Sequence, residues 1–218
     1  QRRVDAAVLI GVAFSDRLLA TARGAQRVKK LILFARASQN PNTISICCDD
    51  AIAMGTLTEH VLRQGYRNPL FLAGPQTQSA HLRRKETFVA LWQKARGRTP
   101  PFKVVHGYDP VLASHAVSEV LAPQSEEERP DGLVCENDAL AMGAMDAIRH
   151  GFGLRIPQDV AVTGFDDVPS AAAPHYQLTT LRQPTSKLSA ALVQVLEGTA
   201  DPTKLQSFEG DLIVRESA

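Results

Sequence analysis

Residues Pro130–Pro184 read PDGLVCENDALAMGAMDAIRHGFGLRIPQDVAVTGFDDVPSAAAPHYQLTTLRQP, and this stretch decides the fold. Gly132–Cys135 is an apolar run too short for a helix and bounded by turn residues, which predicts a buried strand. Glu136, Asn137 and Asp138 follow at once, and Asn or Asp in that place suits a helix N-cap. Leu140, Ala141, Ala144, Met145 and Ile148 recur at helical spacing and give the helix one apolar face. His150-Gly151 closes it, the glycine suiting the left-handed conformation after a helix. Pro157 blocks a return to helix, and Val160–Gly164 reads as a second buried strand ending in Phe165-Asp166-Asp167. Asn137 and Asp166 thus each stand just past the carboxyl end of a parallel strand, the edge at which open α/β sheets bind ligands. Two readings stay open for each: a binding residue, or a plain cap (Asn137) and a plain turn (Asp166).

The same alternation runs outward in both directions. Val4–Ile10, Leu31–Phe34, Ile44–Cys48 and Leu70–Ala73 read as strands, and Val104–Val105 begins another. Helices are predicted from Ser15 or Asp16 to about residue 26, after Asp49-Asp50 to Gly65, from a cap at Ser79 to about Arg96, and over about 110–121. Asn40-Pro41-Asn42 is a turn. Beyond Pro184 a helix over 185–197 is stopped by Gly198, and Leu212–Val214 closes the chain as a strand. Strands alternating with helices imply parallel βαβ units with right-handed crossovers.

The chain has 218 residues, enough for one large domain or two lobes. Lys plus Arg is 24 against 23 Asp plus Glu, which argues against an extended phosphate-binding surface. No apolar run reaches the length of a membrane span. Cys47, Cys48 and Cys135 all fall in predicted strands and lack zinc-ligand spacing. Reduced, structural thiols in a cytosolic protein are the expectation. There is no GxSxG elbow, phosphate-cradling glycine loop or metal spacing, so neither an enzyme nor a cofactor or metal site is expected. The six histidines are scattered, with solvent exposure the default for each.

The segments IPQDVAVTGFDD, LTTLRQP and the terminal LIVRESA, in that order behind PDGLVCEND, resemble the effector-binding core of lactose-repressor-type (LacI/GalR) transcription regulators. The resemblance covers nearly the whole chain. It implies a two-lobed, periplasmic-binding-protein-like α/β fold with parallel sheets, whose cleft binds a small effector such as a sugar or related polyol. The first lobe would take residues 1–66 and 183–205, the second 67–182 and 206–218. It also implies a cytoplasmic homodimer that meets operator DNA through a helix-turn-helix headpiece. That headpiece and the opening strands of the first lobe are not found before Val4, so the first lobe is expected to be incomplete. The competing reading is a transport-type periplasmic sugar-binding protein, which the LTTLRQP and RES segments disfavour.

Position by position, the resemblance assigns effector contacts to Asp50, Arg84, Asn137 and Asp166. Asp49 leaves a one-residue ambiguity beside Asp50. Asp109 stands where many family members place an aromatic against the ligand, and Gln78 differs from the polar residue of purine-responsive members. Carboxylates that accept, a guanidinium that donates and an amide that does both suit a ligand rich in hydroxyls. The competing reading of Arg84 is a helix-surface residue or a structural ion pair with Asp166. Trp92, one turn from Phe88, is expected in the core.

Overall fold

The computed structural model describes residues 4–10, 28–35, 43–75, 83–200 and 206–218. The helix expected to end near residue 26, the turn at Asn40-Pro41-Asn42, the cap at Ser79 and the site residue Gln78 lie outside the described residues. By its contacts the chain divides into two compact units. The first comprises Gln1–Asp50, Thr77–Leu82 and Pro184–Gly210; the second comprises Ala51–Gln76, Arg83–Gln183 and Asp211–Ala218. The helix beginning at Asp50 groups by its contacts with the second unit from Ala51 onward.

The first unit is built on an all-parallel sheet of β1 (Val4–Ile10), β2 (Val28–Phe34), β3 (Ile44–Cys48) and β9 (Gln206–Phe208), in the order β1-β2-β3-β9. The short strand β9 carries too few apolar residues to be read from its pattern. Helix α5 (Thr185–Glu197) lays Leu188, Ala191 and Val195 against Ile32, Ile44 and Ile46 of the sheet. It stops where expected, at Gly198 with φ 79°. Lys30 donates to the Val195 carbonyl at 2.7 Å, satisfying an acceptor that the helix end leaves open.

The second unit holds a six-stranded sheet in the order β10-β8-β7-β6-β4-β5. Its strands are β4 (Pro69–Ala73), β5 (Phe102–Val104), β6 (Gly132–Cys135), β7 (Ala161–Asp166), β8 (Thr179–Arg182) and β10 (Asp211–Ile213). All pair in parallel except β10, which closes the sheet antiparallel to β8. Its helices are α1 (Asp50–Arg63, with Asp50 itself in the first unit), α2 (Arg84–Arg96), α3 (Pro110–Leu121) and α4 (Asp138–Asp146), the last running on as a π-turn to Gly151. Ahead of helix α2, Arg83 adopts a left-handed φ of 57°, and Arg84 is the first residue of that helix. Trp92 is fully buried, stacked on Phe88, which stacks in turn on Phe71 of β4. Helices α3 and α4 meet backbone to backbone: a Cβ on Gly143 would overlap the Pro110 carbonyl. His60 departs from the expected exposure, being 6% exposed, and burial lowers its pKa against the raising effect of a hydrogen bond it donates to the Ala218 backbone.

The chain passes from β4 outward to β5, then returns to place β6 on the other side of β4. Strand order reverses there, between β4 and β6, and the carboxyl ends of the strands at such a reversal are where open α/β sheets bind ligands.

Candidate functional site

Three strand ends meet at this reversal within the second unit. Strand β4 ends at Ala73, just before Gly74, β6 at Cys135, just before Glu136, and β7 at Asp166. Arg84 lies 4% exposed among them. Its Nη1 donates to the Glu136 carbonyl at 2.9 Å and stands 3.9 Å from Asp166 Oδ1, the latter a charge contact rather than a hydrogen bond. The guanidinium carbon rests 3.5 Å from the centroid of the Phe165 ring, a stacking geometry that an ammonium would not reproduce. The left-handed residue at Arg83 sets this up by starting α2 at the residue that must reach the sheet edge.

Asp166 has a φ of 123°, a conformation costly for a residue with a Cβ and held here by its surroundings. Gln183 Nε2 donates to Asp166 Oδ1 at 2.6 Å. Loss of hydration raises the Asp166 pKa, opposed by the Arg84 charge and the Gln183 hydrogen bond. Its neighbour Asp167 behaves oppositely. Arg215 reaches Asp167 Oδ1 at 2.7 Å and Arg182 reaches Oδ2 at 2.6 Å. Loss of hydration pushes its pKa up, but these two guanidinium groups outweigh it and the net shift is down.

Asn137 is the N-cap of α4, its Oδ1 accepting from Leu140 N at 3.0 Å. Asp138, the first helical residue, is fully buried. Its Oδ1 accepts from the Thr180 hydroxyl at 2.6 Å and its Oδ2 from Val168 N at 2.8 Å. Burial pushes its pKa up to about 6 against the pull of those two hydrogen bonds, and Asp166 and Asp167 add to the rise. A Cβ on Gly164 would overlap Asp138 Oδ1, so glycine is what lets this carboxyl enter beneath β7.

Asp109 is spent on capping α3, its Oδ1 accepting from Val111 N at 2.8 Å and Leu112 N at 3.0 Å. Asp50 belongs to the first unit, at the end of β3. There Asp49 Oδ2 accepts from Ser207 at 3.4 Å, and the Cys47 thiol is pushed up to about 12, first by burial, then by the charges of Asp50 and Asp49. In the second unit the structure brings Arg84, Asn137 and Asp166 to one edge.

Two residues outside the expected set join them. Glu136 is fully buried, its Oε2 accepting a short hydrogen bond from Gly74 N and another from the Tyr108 hydroxyl at 3.3 Å. Tyr108 lies so close over Gly74 that any Cβ there would run into its ring. Burial and then the Glu136 charge drive the Tyr108 phenol far above its usual range; Arg84 opposes this and Asp166 adds to it. The signal for Tyr108 was its aromatic ring one position before Asp109. Glu136 announces itself only as a carboxylate following a buried strand.

The segments that carried the family resemblance are stitched together around this edge. Asp167 joins Arg182 of β8 to Arg215 of the terminal segment. Ser217 Oγ donates to the Val162 carbonyl at 2.6 Å and accepts from Thr179 N at 2.8 Å. Among the described residues no group of His, Cys, Asp and Glu could hold a metal ion, and no helix is long and apolar enough to cross a membrane.

The sequence matches the family of periplasmic binding protein-like domains over residues 58–218. The helix-turn-helix-type transcriptional repressor PurR of Salmonella paratyphi B is 27% identical over 198 residues, covering 90% of this chain and 57% of that repressor. The chain thus spans little more than half the length of the curated relatives it matches. A LacI transcriptional regulator from a Rhodococcus species aligns with a TM-score of 0.85 at 24% identity, covering 99% of this chain and 78% of the other. A LacI family regulator from Mycobacterium smegmatis gives 0.83 at 22%, covering 100% and 80%. One from Lactobacillus casei, crystallised with bound sucrose, gives 0.78 at 22%, covering 99% and 79%. At these identities the structural likeness establishes the fold.

Proposed function

The chain belongs to the periplasmic-binding-protein-like family as a LacI/GalR effector-binding core, and from that premise we propose that it senses a sugar or related polyol. The carrying observation is the buried Arg84, held between the Glu136 carbonyl and Asp166 and stacked on Phe165, at the strand-order reversal. A guanidinium fork beside a carboxylate matches the vicinal hydroxyls of a sugar, which accept from one and donate to the other. Asn137 adds an amide whose oxygen caps α4 and whose nitrogen remains for a ligand oxygen. The sucrose bound to the Lactobacillus casei regulator is consistent with this ligand class. In the whole protein, effector binding shifts the affinity of a homodimer for operator DNA, the DNA contact lying outside these residues. Such coupling requires that the effector bind the two states of the regulator unequally.

The test is a thermal-shift screen of sugars, polyols and nucleobases on the full-length protein, followed by calorimetry of Asp166→Asn and Arg84→Lys with the best ligand. Each substitution should weaken binding roughly 30- to 150-fold, the scale of a lost charge-assisted hydrogen bond of about 2–3 kcal/mol. Unchanged affinity with a lowered melting temperature would make both residues structural. Light scattering on the full-length protein should give a dimer at micromolar concentration.

A further inference from the structure

We propose that helices α1 and α2 of the second unit hold a second ligand site, a groove that takes a free amino acid with an apolar side chain. The groove has a cavity volume of about 300 Å³, the low end of the range for small-molecule pockets. Its walls are one face of each helix. Gly55, Thr58 and Leu62 recur at three- and four-residue spacing on α1, and Leu91 and Ala95 do so on α2. The groove stands apart from the effector edge: Arg84 begins α2, and Leu91 and Ala95 lie roughly 10–17 Å farther along it at the helical rise per residue.

Gly55 is what keeps the groove open. Glycine in a helix interior is less stable than alanine, and at Gly143 of α4 the close approach of Pro110 explains it. Gly55 has no such reason. It is helical, without a left-handed φ. Among the described residues a Cβ there would meet nothing within 4 Å beyond its own helix backbone. What the missing side chain provides is room between the helices.

The lining decides the occupant. Leu62 and Leu91 are half-buried, and the Thr58 hydroxyl already donates to the Met54 carbonyl at 2.6 Å, so the groove suits an aliphatic or aromatic side chain. Glu59 of α1 and Lys94 of α2 line it too, both exposed, and among the described residues neither is held in an ion pair. An α-amino group can donate to the first, and an α-carboxylate can accept from the second. Two opposite charges match a zwitterion better than an amine or an acid alone. A protein partner fits less well. Ile52 is the one exposed large apolar side chain on either helix, far short of the apolar centre that a stable interface buries.

The experiment is a ligand-observed NMR titration of the full-length protein with leucine and phenylalanine. Each is compared with its two one-charge analogues: 4-methylpentanoate and 3-methylbutylamine for leucine, 3-phenylpropanoate and 2-phenylethylamine for phenylalanine. At least one of the amino acids should bind with a Kd of about 1 mM or below. It should exceed both of its analogues by about three- to tenfold. Glu59→Gln should remove the advantage over the acid and Lys94→Gln the advantage over the amine. Gly55→Leu fills the groove from its wall and should abolish binding while holding or raising the melting temperature, since leucine favours a helix over glycine. The two exposed-residue variants decide the matter should Gly55→Leu not fold. Failure of both amino acids to bind the wild type overturns the proposal, as does an analogue that binds equally well. Undiminished binding in a folded Gly55→Leu, or an unaltered preference in Glu59→Gln and Lys94→Gln, overturns it as well. Each of these outcomes leaves the effector reading standing.

Discussion

Two acidic turns stand side by side at one edge of the second unit's sheet, Glu136-Asn137-Asp138 after β6 and Asp166-Asp167-Val168 after β7, and they dispose of charge differently. The first is extended, with φ −151° at Asn137, and leads into a helix. The second is left-handed, with φ 123° at Asp166 and 56° at Asp167, and leads into a short 3-10 turn over Pro169–Ala172. In both, a carboxylate at the strand end is followed by a later one that anchors the fold. The anchors differ in kind. Among the described residues Asp138 has no charged partner and is held, fully buried, by a hydroxyl and a backbone amide, whereas Asp167 is clamped by two guanidinium groups. The pKa shifts follow, up to about 6 for Asp138 and down for Asp167. A carboxylate can therefore brace this edge either as a costly buried acceptor or as a paired ion.

The hardest blow to this arrangement is Asp138→Ala. It orphans the Thr180 hydroxyl and Val168 N beneath the sheet, and loosens the turn that carries Asp166. Chemical denaturation should show a loss of about 3 kcal/mol near neutral pH. Asp138→Asn keeps an acceptor for Val168 and sharpens the comparison through pH. The folded state holds the Asp138 proton more tightly than the unfolded chain, so its contribution is complete below the ordinary value of 3.8 and lost as pH rises through about 6. That swing is on the order of 3 kcal/mol and should vanish from the stability profile of Asp138→Asn between pH 4 and 7. Asp167, with its lowered pKa, runs the other way: its contribution is present above the ordinary carboxylate value and lost as pH falls.

Gly164→Ala attacks the same strut from the strand. The new methyl would overlap Asp138 Oδ1 and come within 2.9 Å of Leu178 Cδ2. Overpacking of this kind costs about 2–3 kcal/mol, read as a lowered denaturation midpoint with an unchanged slope. Asp167→Asn should cost less, about 1–2 kcal/mol. Arg215, with a side chain 13% exposed, loses a charged partner, but Arg182, 53% exposed, can turn to water. A loss as large as that of Asp138→Ala would mean that the paired anchor carries as much of the turn as the dry one.

Much of this edge was legible because its signals are local. Apolar runs with Asn or Asp directly after them gave β6, β7 and the cap of α4, and the order GFDD, LTTLRQP and RES gave the family. The structure supplies the reason those three segments travel together: Asp167, Arg182 and Arg215 form one ion network, and Ser217 ties β7 to β8. What the sequence concealed depends on register and on distant contacts. Tyr108 and Asp109 differ by one position, yet one lies on Gly74 and the other caps α3. Glu136 gains its meaning from distant partners, among them a backbone amide 62 positions away. The first unit's β9 has three residues and takes its place by pairing with β3.

The smallest expected effect on stability belongs to Asp166→Asn, and it separates the two carboxylates of the second turn. Asp166 is 27% exposed and its closest partner is a neutral amide, Gln183. An Asn at that position can keep one oxygen toward Gln183 Nε2, and Arg84 retains its 2.9 Å bond to the Glu136 carbonyl. Removing a carboxylate whose pKa is raised by lost hydration also relieves a cost of folding. These terms oppose one another, so the melting temperature should move little, corresponding to within about 0.5 kcal/mol. The strained φ of 123° does not favour the aspartate, since asparagine tolerates positive φ at least as well. A loss matching that of Asp167→Asn would place Asp166 among the anchors and leave Glu136 as the only carboxylate of the two turns available to a ligand.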